Sequence, residues 1–185
     1  MRSFLRSPLI AAVLQVALAA AIFRVAADHR PVDPDEGHFL SAVRNVYHGR
    51  VPCRDFFFQQ TPLFPYPYAA AMDVFGYGYG TCLWVSILCG VGLAAVTAAY
   101  FRERTGAPGA GWIGGFLVMA NAPILFWTPT VKNHALPLFF GALAIYGAAR
   151  RAGAPRTAFA WGALAGFAAV VSVGTRLLAA PFALA

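Results

Sequence analysis

The sequence predicts an all-α fold, a multi-pass transmembrane bundle of about five spans with an interfacial helix in its first outer loop. Hydrophobic residues make up 59% of the 185 residues and charged residues only 11%, whereas a soluble domain carries about 25% charged residues. The apolar residues also gather into runs of roughly 20 residues, the length that a helix needs to cross a bilayer. Both observations are typical of a membrane protein.

Five apolar segments approach this length, although the fourth is short. They are 8–27, 80–101, 109–128, 134–149 and 158–182. The first also resembles a secretory signal, but the spans that follow favour an uncleaved anchor. Because the last apolar run continues without a polar tail, we expect residues 1–185 to be the N-terminal part of a single transmembrane domain.

The arginines predict the orientation of these spans. The net charge is +7, but the arginines lie mostly at the ends of apolar runs rather than in one basic stripe, which argues against nucleic-acid binding. The positive-inside tendency puts the N-terminus and the turns 102–107 and 150–157 in the cytoplasm. Loops 28–79 and 128–133 then lie together on the outer face of a bacterial-type plasma membrane.

The segment that begins loop 28–79 predicts a helix over 34–48. Asp33 is an N-cap residue, Pro34 suits the first helical position, and Glu36 at the third completes a capping box. Apolar residues then recur every three or four positions, which is typical of a helix lying in the membrane interface, and Gly49 ends it. The prolines between 52 and 67 argue against continuous helix beyond this point.

Capping accounts for Asp33 and Glu36 but leaves Asp35 without a structural role. A carboxylate near a helix N-terminus is favoured in its ionised form, so Asp35 is available as a proton acceptor or to orient a hydroxyl group. The alternative, that the acids only cap the helix, stays open.

Two stretches resemble a known family. After an apolar first span, "DPDEGHFLSAVRNVYHGRVPCRDF" and "QQTPLFPYPYAAAMDVFGYG" resemble the start of the GT-C glycosyltransferases of the protein O-mannosyltransferase and aminoarabinose-transferase superfamily. The corresponding residues are the acidic pair Asp35-Glu36, Gly49, Pro52 to Asp55 and Thr61-Pro62-Leu63. The likeness extends to "GTRLLAAPFALA", which is similar to the part of the family that carries a basic residue.

The resemblance implies transfer of a sugar from a polyprenyl-phosphate donor to a glycan, lipid or protein acceptor at the outer face, with inversion at the anomeric carbon. In the family the first acid of the pair is the base, so the role passes to Asp35, with Glu36 as its supporting neighbour. The chain departs from the pattern at Gln60 to Leu63 and at Lys132-Asn133-His134, which leaves donor and acceptor identity open.

Departure of a phosphate requires positive charge or a metal ion. Lys132 and Arg176 are the predicted cations. The alternatives are a solvated loop charge for Lys132 and a side chain that snorkels to the interface for Arg176. His38 lies one turn from Asp35 and is predicted to contact the same cavity, and Asp55 and Gln60 are predicted to face the acceptor. We expect no cofactor and assign no metal ligand, because the histidines and cysteines lack ligand spacing; a divalent metal stays an open alternative.

Two other functions compete with this one. A transporter or flippase for a lipid-linked substrate would use the acids to bind or relay protons, but it predicts more polar residues within the spans. A noncatalytic membrane subunit would use the outer loop only to dock a partner.

Overall fold

A computed structural model describes residues 8–31, 33–107, 109–150 and 155–179. These residues form eight α-helices and a short 3₁₀ helix, and they contain no β-strand, which confirms the all-α prediction. The helices are α1 Pro8–His29, α2 Glu36–Tyr47, α3 Pro65–Phe75, α4 Tyr79–Thr105, α5 Ala110–Met119, α6 Ala122–Trp127, α7 Ala135–Arg150 and α8 Pro155–Thr175, followed by the 3₁₀ helix Leu177–Ala179.

Three helices are long and apolar enough to cross a membrane. They lie at Leu9–His29, Tyr79–Thr105 and Thr157–Thr175, with mean hydropathies of 2.2, 2.1 and 1.6. This indicates a membrane protein. The predicted spans at 109–128 and 134–149 correspond instead to shorter apolar helices, of which α7 has 16 residues.

The prediction of one span over 109–128 is wrong, because the chain breaks there into α5 and α6. Asn121 is extended, with ψ 108°, and its side chain caps α6 by accepting the N–H of Ile124. Pro123 in the first turn has no N–H with which to continue α5. The apolar run therefore holds two helices of 10 and 6 residues.

The span predicted over 158–182 also ends early. α8 stops at Thr175, so Arg176 follows the helix instead of lying inside it. Residues 180–182 fall outside the described residues.

The capping box predicted at the start of α2 is wrong as well. The helix begins at Glu36 rather than Pro34, and its N-cap Asp35 makes no side-chain capping bond. Asp33 Oδ1 instead accepts the backbone N–H of Asp35 at 2.9 Å across Pro34, while the carboxylate of Glu36 turns inward. The predicted end is confirmed, since Gly49 has a φ of 79° just beyond Tyr47.

The sequence does not predict helix α3, because the prolines between 52 and 67 argue against continuous helix there. Pro65 and Pro67 lie in its first turn, where a missing N–H breaks no helical hydrogen bond. The apolar face of α2 packs on α3 in a core that includes Phe39, Val43 and Tyr68. The Tyr68 hydroxyl lies 3.0 Å from Ser86 Oγ, which connects this pair to α4.

Helix α4 is central to the bundle, since α1, α3, α5 and α7 pack on it and α8 packs on α7. Gly90 allows α1 and the loop after α6 to pack closely against α4. A Cβ atom at this position would lie 2.9 Å from Thr128 Cγ2 and 3.0 Å from the ring of Phe23. Any larger residue would push α1 or Thr128 away from α4.

We expect Gly90→Ala to lower the free energy of unfolding by about 1–3 kcal/mol, because overpacking forces its neighbours to move. Thermal unfolding in detergent measures this effect. Gly162→Ala is the matched control: it lies within α8 with open space around its Cβ, so the helix propensity of alanine should leave stability unchanged or raise it. Equal stability of the two variants would contradict the close packing at Gly90.

Candidate functional site

A polar cavity of about 650 Å³ lies between the start of α2, the segment 59–62, the loop 128–134 and the residues that follow α8. It brings together residues far apart in the sequence. Five of the seven predicted site residues line it, namely Asp35, His38, Gln60, Lys132 and Arg176.

The other two predicted site residues do not line the polar cavity. Asp55 accepts hydrogen bonds from the Arg54 guanidinium at 2.8 Å and from the N–H of Val51 at 2.7 Å. These two interactions, the arginine first, lower the pKa of Asp55 to about 2. Asp55 therefore closes its own local turn, away from the cavity, and Glu36 lies behind the cavity wall.

Glu36 forms a buried ion pair with Arg30. Its side chain is 2% exposed and that of Arg30 is 5% exposed, and two hydrogen bonds of 2.6 and 2.7 Å join the carboxylate to the guanidinium. The backbone N–H of Val131 donates to the same carboxylate at 2.7 Å, and Arg30 Nε donates to the carbonyl of Pro129 at 2.8 Å. The pair therefore joins the turn between α1 and α2 to the loop 128–134.

Lys132 lies beside Asp35 in the cavity wall. Its Nζ is 3.1 Å from Asp35 Oδ2 and 3.2 Å from Asp33 Oδ2, and it stands 4.9 Å from the centre of the Trp127 ring. Its side chain is only 8% exposed, so the reading of Lys132 as a solvated loop charge is wrong. The Asp35 side chain is 74% exposed, which leaves its carboxylate open to a ligand.

Asp33 is the second carboxylate that pairs with Lys132. The N–H of Asp35 lowers the pKa of Asp33 most, burial opposes that effect, and the hydrogen bond and charge of Lys132 lower the pKa further. An ionised Asp33 therefore shares the lysine with Asp35.

Arg176 contacts His134 at the far side of the cavity, with 2.5 Å between Arg176 Nη1 and His134 Nδ1. Burial, followed by the positive charges of Arg176 and Lys132, lowers the pKa of His134 to about 4. The imidazole is thus neutral at pH 7, and its Nδ1 accepts from the guanidinium. The proton then resides on Nε2.

Sequence reasoning gave no catalytic or binding role to His134 or Asn133. The Asn133 amide donates to Gln60 Oε1 at 2.9 Å and so joins the loop 128–134 to the segment 59–62. Three consecutive polar residues, Lys132 to His134, between two apolar helices are the signal for this loop. The partners of these three residues lie far away in the sequence, so the sequence alone does not identify them.

An apolar groove of about 570 Å³ adjoins the polar cavity. Its walls come from α6, α7 and the residues after α8, and include Trp127, Pro137 and Leu138. The two spaces share His134, Arg176 and Leu178. A ligand with a polar head and a hydrocarbon tail could therefore occupy both, with its head beside Arg176.

Within the described ranges, no group of three or more His, Cys, Asp and Glu side chains is arranged to hold a metal ion. Comparison of the chain with protein-family models, with curated proteins and with solved structures finds no match.

We expect Glu36→Gln to lower the free energy of unfolding by about 3–5 kcal/mol, because it leaves Arg30 buried without its counter-charge. Asp35→Asn is the matched control, since this side chain is exposed and Lys132 keeps Asp33 as a partner. Thermal unfolding of both variants in detergent measures the difference. Similar losses for the two variants would contradict a structural role specific to Glu36.

The stability of the protein should fall as the pH drops from about 6.5 to about 4. The pKa of His134 is 6.5 when unfolded and about 4 when folded, so over this range the unfolded chain binds a proton that the folded chain does not. Unfolding temperatures across this range measure the effect. His134→Asn should flatten the profile, whereas His48→Asn, on the exposed end of α2, should leave it unchanged; an unaltered slope in His134→Asn would refute the assignment.

Proposed function

We propose that this protein is an integral-membrane glycosyltransferase of the GT-C type. It would move a sugar from a polyprenyl-phosphate donor to an acceptor at the extracytoplasmic face, with inversion at the anomeric carbon. One observation carries the proposal: an exposed carboxylate, Asp35, and two cations, Lys132 and Arg176, line a single polar cavity that shares part of its wall with an apolar groove.

The apolar lining of the groove supports the proposal that the donor substrate is linked to a lipid. Its walls are mostly hydrocarbon and aromatic side chains, whereas charged and amide side chains make up much of the lining of the neighbouring cavity. A polyprenyl chain in the groove would bring its phosphate to Arg176 and its sugar into the polar cavity. The acceptor hydroxyl would enter on the side of Asp35, where the carboxylate is open to solvent.

The reaction is a single displacement. Asp35 accepts the proton of the acceptor hydroxyl while the oxygen attacks the anomeric carbon on the face opposite the phosphate. The bond between that carbon and the phosphate oxygen breaks, and the electron pair leaves with polyprenyl phosphate. Arg176 and Lys132 stabilise the charge that develops there.

The contacts of Lys132 fit this transfer of charge. In the resting site the ammonium is shared between Asp33 and Asp35. When Asp35 takes up the proton, one of these two negative charges is lost as the phosphate gains one. Lys132 is then freer to interact with the leaving group, while Asp33 keeps it in the cavity wall.

The arrangement of charges also supports an orientation. Arg102 and Arg104 end α4, and Arg150 ends α7, where it pairs with Glu103 at 2.8 Å. By the positive-inside tendency this end of the bundle faces the cytoplasm. The N-terminus is then cytoplasmic and the polar cavity extracytoplasmic, in a multi-pass protein of a bacterial-type plasma membrane.

We expect Asp35→Asn to reduce sugar transfer by at least about 10²-fold with the fold intact, since removal of a general base has effects of this order. Transfer from a radiolabelled polyprenyl-phosphate sugar by the membrane-embedded protein measures it. Asp73→Asn is the matched control, because Asp73 is exposed on α3 and does not line the cavity; its turnover should equal that of the wild type.

Wild-type turnover in Asp35→Asn would defeat the catalytic assignment and favour a noncatalytic subunit. If the wild-type protein transfers no sugar but moves the labelled lipid across a vesicle membrane, the protein is a transporter instead.

A further inference from the structure

The polar cavity and the apolar groove meet at a pair of side chains, His134 and Arg176. Arg176 directly follows α8, and its backbone N–H donates to the carbonyl of Ser172 at 3.1 Å. Its backbone is therefore fixed by the helix end, whereas the direction of its long side chain is set by what the guanidinium contacts. That contact is Nδ1 of His134, 2.5 Å away.

The hydrogen-bond partner of Arg176 determines whether the positive charge of its guanidinium stays available to a ligand. Among the described residues, no carboxylate lies within ion-pair distance of this guanidinium. Lys132, by contrast, is shared by two carboxylates. A carboxylate partner would fix the direction of the arginine but would also cancel its charge and repel an incoming anion. A neutral imidazole fixes the direction and leaves the positive charge available.

The imidazole is itself held in place. It packs against the Trp127 ring with 5.3 Å between ring centres, and the same indole lies beneath Lys132. Burial keeps the ring uncharged by lowering its pKa, so Nδ1 remains an acceptor for the guanidinium at neutral pH.

We propose that His134 is a positioning residue that aims Arg176 at the phosphate of a lipid-phosphate ligand, at the junction of the polar cavity and the apolar groove. This proposal rests on the proposed function, because it deepens the binding of the donor. His134 need not touch the reacting atoms; it acts through Arg176 as an uncharged hydrogen-bond acceptor.

Three substitutions separate this role from simple packing. His134→Asn keeps an acceptor near the place of Nδ1 and is neutral. His134→Asp has nearly the same shape but adds a negative charge, and His134→Phe keeps a ring but removes the acceptor. A purely structural role would change the binding of an uncharged lipid as much as that of the lipid phosphate.

The test measures the affinity of each purified variant, reconstituted in lipid nanodiscs, for polyprenyl phosphate and for the corresponding polyprenyl alcohol. His134→Asn should bind polyprenyl phosphate within a few-fold of the wild type. His134→Phe should bind it about tenfold to a hundredfold more weakly, the range expected for loss of a hydrogen bond to a charged group. His134→Asp should also bind it more weakly, because its carboxylate pairs with the guanidinium and repels the phosphate. Binding of the alcohol, which lacks the phosphate, should be equal in all variants.

A second comparison uses Arg176→Ala as the background. If His134 acts through Arg176, the uncharged variants His134→Asn and His134→Phe should bind polyprenyl phosphate equally once the guanidinium is absent. A remaining difference between them in this background would overturn the proposal. Unfolding temperatures identify any variant that fails to fold. If His134→Asp fails to fold, the comparison of His134→Asn with His134→Phe tests the proposal.

The outcomes also separate this inference from the proposed function. If the wild-type protein binds polyprenyl phosphate and His134→Asp binds it as well as His134→Asn does, only the role of His134 is refuted. If the wild-type protein binds the phosphate no better than the alcohol, the lipid-phosphate donor itself is refuted, and the role of His134 with it.

Discussion

The buried ion pair between Arg30 and Glu36 holds together the start of α2 and the loop 128–134, two segments that line the polar cavity. Removing two charges from water costs several kcal/mol each, which only good geometry and further hydrogen bonds can offset. Here both ions also bond to the loop 128–134, through the carbonyl of Pro129 and the N–H of Val131. Asp35 and Lys132 can meet because their neighbours in the sequence are fixed in this way.

The features that the sequence predicts well are those set by local pattern. The helical class follows from apolar runs, and Asp35, Lys132 and Arg176 attract attention as charges beside such runs. Glu36 shows why the remaining features of the site could not be predicted from the sequence. Three residues after Asp33 it satisfies a capping pattern, yet its partners include Val131, 95 residues away in the sequence. A local motif cannot reveal that a buried arginine and a distant backbone N–H bind the same carboxylate.

The break between α5 and α6 shows how a departure from regular structure can build a site. A continuous helix over 109–128 would have been the simplest way to satisfy backbone hydrogen bonds in a membrane. The short α6 instead ends at Trp127, whose ring contacts both His134 and Lys132. Local pattern and final structure disagree at the very residues that line the cavity and groove, which is where such disagreement is expected.

The position of Arg176 directly after α8 has a consequence for biosynthesis. A chain that enters the bilayer from its N-terminal end can bring its acidic turn and lysine together while α8 is still inside the ribosome. The arginine emerges later, so a nascent chain would pass through a stage with a half-assembled site that has not yet gained the cation at the mouth of its groove. The cavity wall is therefore completed only after α8 has been synthesised, because the residues that close it follow that helix.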